Sequence, residues 1–223
     1  MLFEVDAAEA GIRVVYADEA IVVLDKPSGL LSVPGRGPDK QDCLSARVQA
    51  QFADALVVHR LDMSTSGLIV MARGAVVQRA LSEAFANRKV TKRYAAVVHG
   101  EVAPTGDDWR VIDLPIAVDW PNRPLRVINH ETGKPSVTRL QRSHFDAQRN
   151  VSHVLLEPQT GRTHQLRLHL QAIGHPILGD ALYAPPEIIA MASRLLLHAC
   201  VLGFAHPVSG ATMEFHRDMQ VSA

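Results

Sequence analysis

The residues best placed to do chemistry lie between Val57 and Ala72. An apolar pair, Val57-Val58, leads into His59-Arg60-Leu61-Asp62. A run of small hydroxyl residues, Ser64-Thr65-Ser66, ends at Gly67, and Leu68-Ile69-Val70-Met71-Ala72 then reads as a buried strand. One carboxylate, Asp62, therefore sits in a short loop between two core segments, with Arg60 two residues upstream. Loops braced by rigid elements commonly carry catalytic groups. A carboxylate kept ionised can act as a covalent nucleophile, and a neighbouring guanidinium favours that state through its charge and its directed hydrogen bonds. The plainer reading gives Asp62 only a turn cap or an ion pair with Arg60.

Two further stretches bear on the choice. Residues 75–87 predict a helix, with Val77, Leu81 and Phe85 on one face and Ala84 beside them. It runs into Arg88-Lys89-Val90-Thr91-Lys92-Arg93-Tyr94, so four cations precede the strand Tyr94–Val98. These suit phosphate contacts, or equally a solvated helix end whose cations favour the dipole. In Thr160-Gly161-Arg162-Thr163-His164-Gln165-Leu166-Arg167-Leu168-His169-Leu170, Thr163 reads as an N-cap. Leu166, Leu170 and Ile173 make an apolar stripe, with Arg167 off it, and Gly174 a stop.

Other chemistries find little support. A glycosidase needs two facing carboxylates, and a Ser-His-Asp hydrolase a nucleophile elbow; neither pattern is present. His164 and His169 fall on different helical faces, the other histidines are scattered, and no Gly-rich phosphate loop or dinucleotide fingerprint occurs. No metal or cofactor is expected. The 223 residues are 47% apolar and 21% charged, with 23 cations against 23 acids and a formal net charge of zero. That balance argues against a non-specific nucleic-acid coat and leaves room for a local basic patch. No apolar run approaches the roughly 18 residues needed to span a bilayer. The acidic N-terminus is no secretory signal, and Cys43 and Cys200 make no CxxC, so a reducing cytoplasm is expected.

The supporting elements follow from the pattern. Residues 1–18 read as an N-terminal extension, and Ala20–Asp25 as a buried strand closed by the turn Lys26-Pro27-Ser28-Gly29. Asp42 caps a helix through about Phe52. Residues 100–136, including Asp119-Trp120-Pro121-Asn122-Arg123-Pro124, predict short strands and turns. Thr138–Phe145 and Val151–Glu157 predict paired strands around a turn near Gln148-Arg149-Asn150. Short apolar runs at Leu195–Leu197 and Val201–Phe204 follow.

At this point the motifs resemble those of the RluA-type pseudouridine synthases. His59-Arg60-Leu61-Asp62 with Thr65-Ser66-Gly67-Leu68 is similar to that family's catalytic motif, Gly161-Arg162-Thr163-His164-Gln165-Leu166-Arg167 to its third motif, and Lys92-Arg93-Tyr94 to its tyrosine motif. The likeness runs from Lys26-Pro27-Ser28-Gly29-Leu30 through His175-Pro176-Ile177-Leu178-Gly179-Asp180 to Leu197-His198-Ala199. Ser32–Arg36, Asp119–Pro124 and Glu131–Pro135 resemble a branch acting on stem-loops of 23S rRNA and on the tRNA anticodon stem-loop. The resemblance implies Asp62 as the nucleophile on the uridine glycosidic bond, through a covalent or glycal-type intermediate. It implies Tyr94 stacked on the flipped base and assisting loss of the C5 proton, and Arg167 keeping Asp62 ionised. Arg60 would contact the backbone or fill the space the base leaves. Arg88, Lys89, Lys92, Arg93 and Arg162 suit further RNA contacts. Isomerisation adds no atoms and needs no cofactor.

The expected architecture is mixed α/β (α+β): a single catalytic domain over 1–223 without an S4 domain. An extended, mainly antiparallel sheet is flanked by helices. The expected partner is RNA, with no membrane, and the chain acts as a monomer with a lower salt slope than a strongly basic binder. A catalytically silent RNA-binding module, or a sibling synthase with another target, are the competing readings; changing Asp62 separates the first from a working enzyme.

Overall fold

The computed structural model describes residues 11–104 and 108–219. Along the chain run β1 (Arg13–Ala17), β2 (Ile21–Lys26), α1 (Leu44–Gln49), β3 (Ala55–Val57), β4 (Ser66–Arg73), α2 (Ala75–Ala86), β5 (Thr91–His99) and β6 (Arg110–Asp113). Then come β7 (Ile116–Val118), β8 (Arg126–Ile128), β9 (Val137–Asp146), β10 (Val151–Pro158), α3 (Gln165–Ala172), α4 (Pro186–Ile189), β11 (Leu197–Ala205) and β12 (Thr212–His216). Contacts divide the chain into two compact units. The first holds the residues up to Lys92 and His198–Asp218; the second holds Arg93–Leu197 and Met219. Among the described residues no helix is long and apolar enough to cross a membrane.

In the first unit the strand order is β1-β2-β4-β11, with β3 on β4 and β12 on β11, and every pairing but β4–β11 is antiparallel. Ile21, Val22, Val23 and Leu24 of β2 are all fully buried. This is why that strand reads as an unbroken apolar run rather than an alternating one. Helix α2 lays Val77, Leu81, Ala84 and Phe85 on Leu68, Val70 and Ala72 of β4, the stripe its 3.6-residue period predicts. Gly67 has φ 109, and a Cβ there would meet the backbone O of Ala199 at 2.4 Å. Only glycine lets β11 come this close to β4.

Several boundaries differ from the sequence reading. Part of the segment read as an extension is strand β1, paired antiparallel with β2. Asp42 does not cap α1: Cys43 occupies the N-cap, and Asp42 instead receives Nε and Nη2 of Arg47, each at 2.7 Å. The two apolar runs near the C-terminus both contribute to β11. Its polar interruption is His198, buried because Nδ1 lies 2.9 Å from Oγ of Ser66.

In the second unit the order is β5-β10-β9-β6, all antiparallel, with β7 and β8 forming a separate hairpin. Strands β9 and β10 turn at residues 147–150 because Oδ1 of Asp146 accepts the backbone N–H groups of Gln148 and Arg149. One sheet face presents Ala96, Val98, Leu140, Val154 and Leu156, with Tyr94 packed against this core. Leu166 and Leu170 of α3 belong to the same cluster. Mixed α+β architecture with a mainly antiparallel sheet is thus what the chain adopts.

Candidate active site

The Asp62 loop joins β3 to β4 and is held by the segment 26–32 on both sides of the carboxylate. Oγ of Ser32 accepts the N–H of Leu61 at 3.1 Å and donates to its carbonyl at 2.7 Å. The carbonyl of Met63 receives the Gly29 N–H at 2.9 Å and the Lys26 ammonium at 3.0 Å, and Ser28 donates to the carbonyl of Ser64 at 2.7 Å. Thr65 N–H closes on the carbonyl of Asp62 at 3.1 Å. Leu61 is anchored in the core while the Asp62 side chain is partly exposed. The backbone on both sides of the carboxyl group is therefore fixed, which is the arrangement a preorganised reactive group requires.

Lys26 is the residue the sequence reading passed over. It is completely buried, and its three ammonium protons meet the carbonyls of Pro27 (2.8 Å), Leu30 (2.7 Å) and Met63 (3.0 Å). Burial lowers its pKa to about 8, and the charge of Asp62 pulls it back upward. A signal is present, since a lysine closing a strand that opens on the apolar run Ile21–Leu24 has to find acceptors if it is buried. Because the folded-state value lies below the ordinary 10.5, the unfolded chain holds this proton more tightly. The burial cost is full below about pH 8, and stability rises as pH climbs from 8 towards 10.5. We expect the Lys26 13Cε resonance to titrate with a midpoint near 8. A resonance that stays unmoved until the ordinary lysine range contradicts this nest.

His59 serves the framework. Its ring stacks on Phe85 at 4.3 Å between centroids, and Nε2 accepts the Val70 N–H at 3.2 Å. Burial, and then the charge of Lys92, bring its pKa down to about 3, so it stays neutral. Arg60 is exposed beside it.

The basic run divides. Arg88, Lys89 and Lys92 lie in the first unit and Arg93 in the second. Arg88 ends α2 in a left-handed conformation, φ 57, with its N–H on the carbonyl of Phe85 and that of Lys89 on the carbonyl of Ala84. This is a Schellman end whose αL position glycine normally fills. Burial, and next the charge of Arg88, lower the pKa of Lys92. We expect Arg88→Gly to raise stability by about 0.5–1 kcal/mol while weakening RNA binding and reducing its salt slope by about one. Denaturant unfolding and binding at several salt concentrations measure the two effects; a destabilised variant with unchanged affinity contradicts both.

Arg93 and Tyr94 are neighbours in β5, so their side chains leave opposite sheet faces. Tyr94 faces the core cluster. Arg93 reaches Glu157 of β10 at 2.7 Å, where Arg139 also binds at 2.6 Å, and both guanidiniums flank the Trp109 ring, at 5.4 and 4.8 Å. Period-two alternation could have told these two apart in the sequence.

The third motif also differs from its reading. Thr163 does not cap α3. His164 does so, at φ 58 and without a side-chain hydrogen bond, a conformation costing a non-glycine residue about 1 kcal/mol. Gln165 organises the entry instead, accepting Thr160 Oγ1 at 2.8 Å and the Arg162 N–H at 3.0 Å and donating to Thr138 Oγ1 at 3.0 Å. Arg162 itself is exposed. Arg167 is not on an open face: it is 2% exposed, and its Nε and Nη2 grip Oδ2 and Oδ1 of the fully buried Asp180 at 2.9 and 2.5 Å. Such a bidentate pair fixes the plane of the guanidinium as well as its charge. Residues 165–170 of α3 can all be buried because Gln165, Arg167 and His169 each have a polar partner, His169 meeting Thr138 Oγ1 and the Leu114 carbonyl. Among the described residues no group of three His, Cys, Asp or Glu side chains is placed to hold a metal ion.

Residues 20–172 match the family model described as RNA pseudouridylate synthase. This chain belongs to the RNA pseudouridylate synthase family. It is similar to the dual-specificity RNA pseudouridine synthase RluA of Escherichia coli (strain K12), 47% identical over 207 residues that make up 93% of each chain. The RluA of Yersinia pestis is 50% identical over 202 residues, 91% of this chain and 96% of that one. Among solved structures, human RNA pseudouridylate synthase domain containing 1 superposes with a TM-score of 0.76 at 29% identity, covering 93% of this chain and 83% of the other. The reaction of this pseudouridylate synthase is the isomerisation of uridine to pseudouridine in RNA.

Proposed function

We propose that this synthase is dual in specificity, modifying a uridine in a 23S rRNA stem-loop and one in the tRNA anticodon stem-loop. It works in the cytoplasm as a monomer. The observation that supports the assignment most directly is the pinning of Leu61, Met63 and Ser64 around a partly exposed Asp62. The similarity to dual-specificity RNA pseudouridine synthases supports the substrate breadth.

The target uridine leaves its stack at a cost of about a few kcal/mol, least in an unpaired loop. Asp62 then breaks the N1–C1′ bond, the bonding pair leaving with uracil N1. Displacement puts the carboxylate on C1′; elimination, with Asp62 taking the C2′ proton, leaves a glycal. Uracil turns and C5 bonds to C1′, expelling the Asp62 carboxylate in the first route and recovering the proton at C2′ in the second; loss of the C5 proton then restores aromaticity, with protonation at N1 balancing the isomerisation. Tyr94 stacks on the uracil and assists removal of the C5 proton, and Arg167 keeps Asp62 ionised. Arg60, Arg88, Lys89, Lys92 and Arg162 supply phosphate and loop contacts. Arg93, engaged with Glu157, contributes through its share of that cluster's positive charge.

The test uses purified protein with the two stem-loop transcripts labelled with tritium at uridine C5. Tritium release from both, with pseudouridine at one position in each, is the expected result. Release from one alone or from neither sinks the dual assignment, and pseudouridine mapping of RNA from cells with and without the protein then identifies the actual target.

A further inference from the structure

Tyr183 is where three parts of the second unit converge: β8, α3 and the turn that begins at Asp180. Its hydroxyl accepts the backbone N–H of Arg126, the first residue of β8, at 3.0 Å, and lies 2.8 Å from Nδ1 of His164, the N-cap of α3. The Arg167 guanidinium sits 5.3 Å from its ring centroid. Its own N–H donates at 3.2 Å to Oδ1 of Asp180, the carboxylate that clamps Arg167, and the N–H of Leu182 reaches the same oxygen at 3.0 Å. Tyr183 and Asp180 therefore share one turn and hold Arg167 between a ring and a carboxylate. His164 precedes Arg167 by three residues, so the hydroxyl also fixes the turn of helix from which the guanidinium projects.

The other end of this connection is exposed. The loop between β7 and β8 carries Trp120, 68% exposed, with the Arg123 guanidinium 3.6 Å from its ring centroid. A solvent-facing indole with a stacked guanidinium offers a platform for an unstacked base and a charge for its phosphate, the combination by which proteins hold RNA loops. From that platform the chain runs directly into Arg126 and its hydrogen bond to Tyr183.

We propose that Tyr183 is a positioning residue that sets Arg167 and makes its placement depend on the β7–β8 hairpin, whose Trp120–Arg123 stack contacts the RNA loop. This rests on the reading of Arg167 as the group that keeps Asp62 ionised. A neutral hydroxyl, shielded by partial burial that raises its pKa, supports a fixed mechanical link rather than a proton-transfer role.

The experiment uses the full chain and a stem-loop transcript it modifies, at a temperature where circular dichroism shows each variant folded. Tyr183→Phe keeps the ring and removes the hydroxyl; kcat falls about tenfold while KM stays within about twofold. Tyr183→Leu removes the ring as well and lowers kcat further. Trp120→Ala raises KM and lowers kcat in the natural chain, but in the Tyr183→Phe background it raises KM alone. A Tyr183→Phe enzyme with unchanged kcat, a loss confined to KM, or an equal effect of Trp120→Ala on kcat in both backgrounds overturns the proposal. Activity surviving Asp62→Asn removes the nucleophile reading and this proposal together. Unchanged kcat in Tyr183→Phe beside an inactive Asp62→Asn removes this proposal alone.

Discussion

Asp62→Asn is expected to give a folded protein that retains RNA binding and loses pseudouridine formation by at least about 10⁴-fold. The substitution keeps the shape of the side chain and replaces an anion by an amide, which attacks C1′ poorly and carries no charge to stabilise a developing sugar cation. The loop should not collapse, because Ser32, Ser28, Gly29 and Lys26 hold it through the backbone of Leu61, Met63 and Ser64. Lys26 loses the Asp62 charge that favours its ammonium form, so its pKa moves down from about 8. Tritium release from C5-labelled RNA measures the chemistry, and gel mobility measures binding. Pseudouridine formed at anything near the natural rate would transfer the nucleophile's role elsewhere. Loss of RNA binding together with activity would mean that Asp62 is a fold determinant.

The second large effect is on stability. Asp180→Ala leaves the Arg167 guanidinium, 2% exposed, without its bidentate carboxylate, and also strips the acceptor from the N–H groups of Leu182 and Tyr183. Removing one partner of a buried ion pair costs about 3–5 kcal/mol, because the remaining charge stays desolvated. For a chain of this size that lowers the unfolding temperature by about 10 °C or more. Replacing both members with apolar residues of similar volume, Arg167→Met with Asp180→Leu, should restore much of the stability and none of the activity. Urea unfolding and thermal melts on the single and double variants check this. A single variant that melts within a few degrees of the natural chain would show that water reaches Arg167.

What could be read in advance was local. Helix α2 follows from Val77, Leu81 and Phe85, since a 3.6-residue period needs no knowledge of what it packs against. The Asp62 loop was visible because apolar runs frame it on both sides. Strand alternation separates Arg93 from Tyr94, and the cost of burying an ammonium marks Lys26, so both signals are present in the sequence. The caps of α1 and α3 differ from the sequence expectation because Asp42 is taken by Arg47, and because the entry to α3 is held by the Gln165 amide and a left-handed His164 instead of the Thr163 hydroxyl.

By itself, then, the order of residues determined the family, the reaction and the loop that carries the carboxylate, all of them encoded in contiguous motifs. Tertiary structure alone decided that Arg167 is buried against Asp180, that Tyr183 ties α3 to the β7–β8 hairpin, and that Lys26 underpins the Asp62 loop. A polar side chain's fate depends on which distant partner meets it once water is excluded, and periodicity along one segment carries no information about that partner.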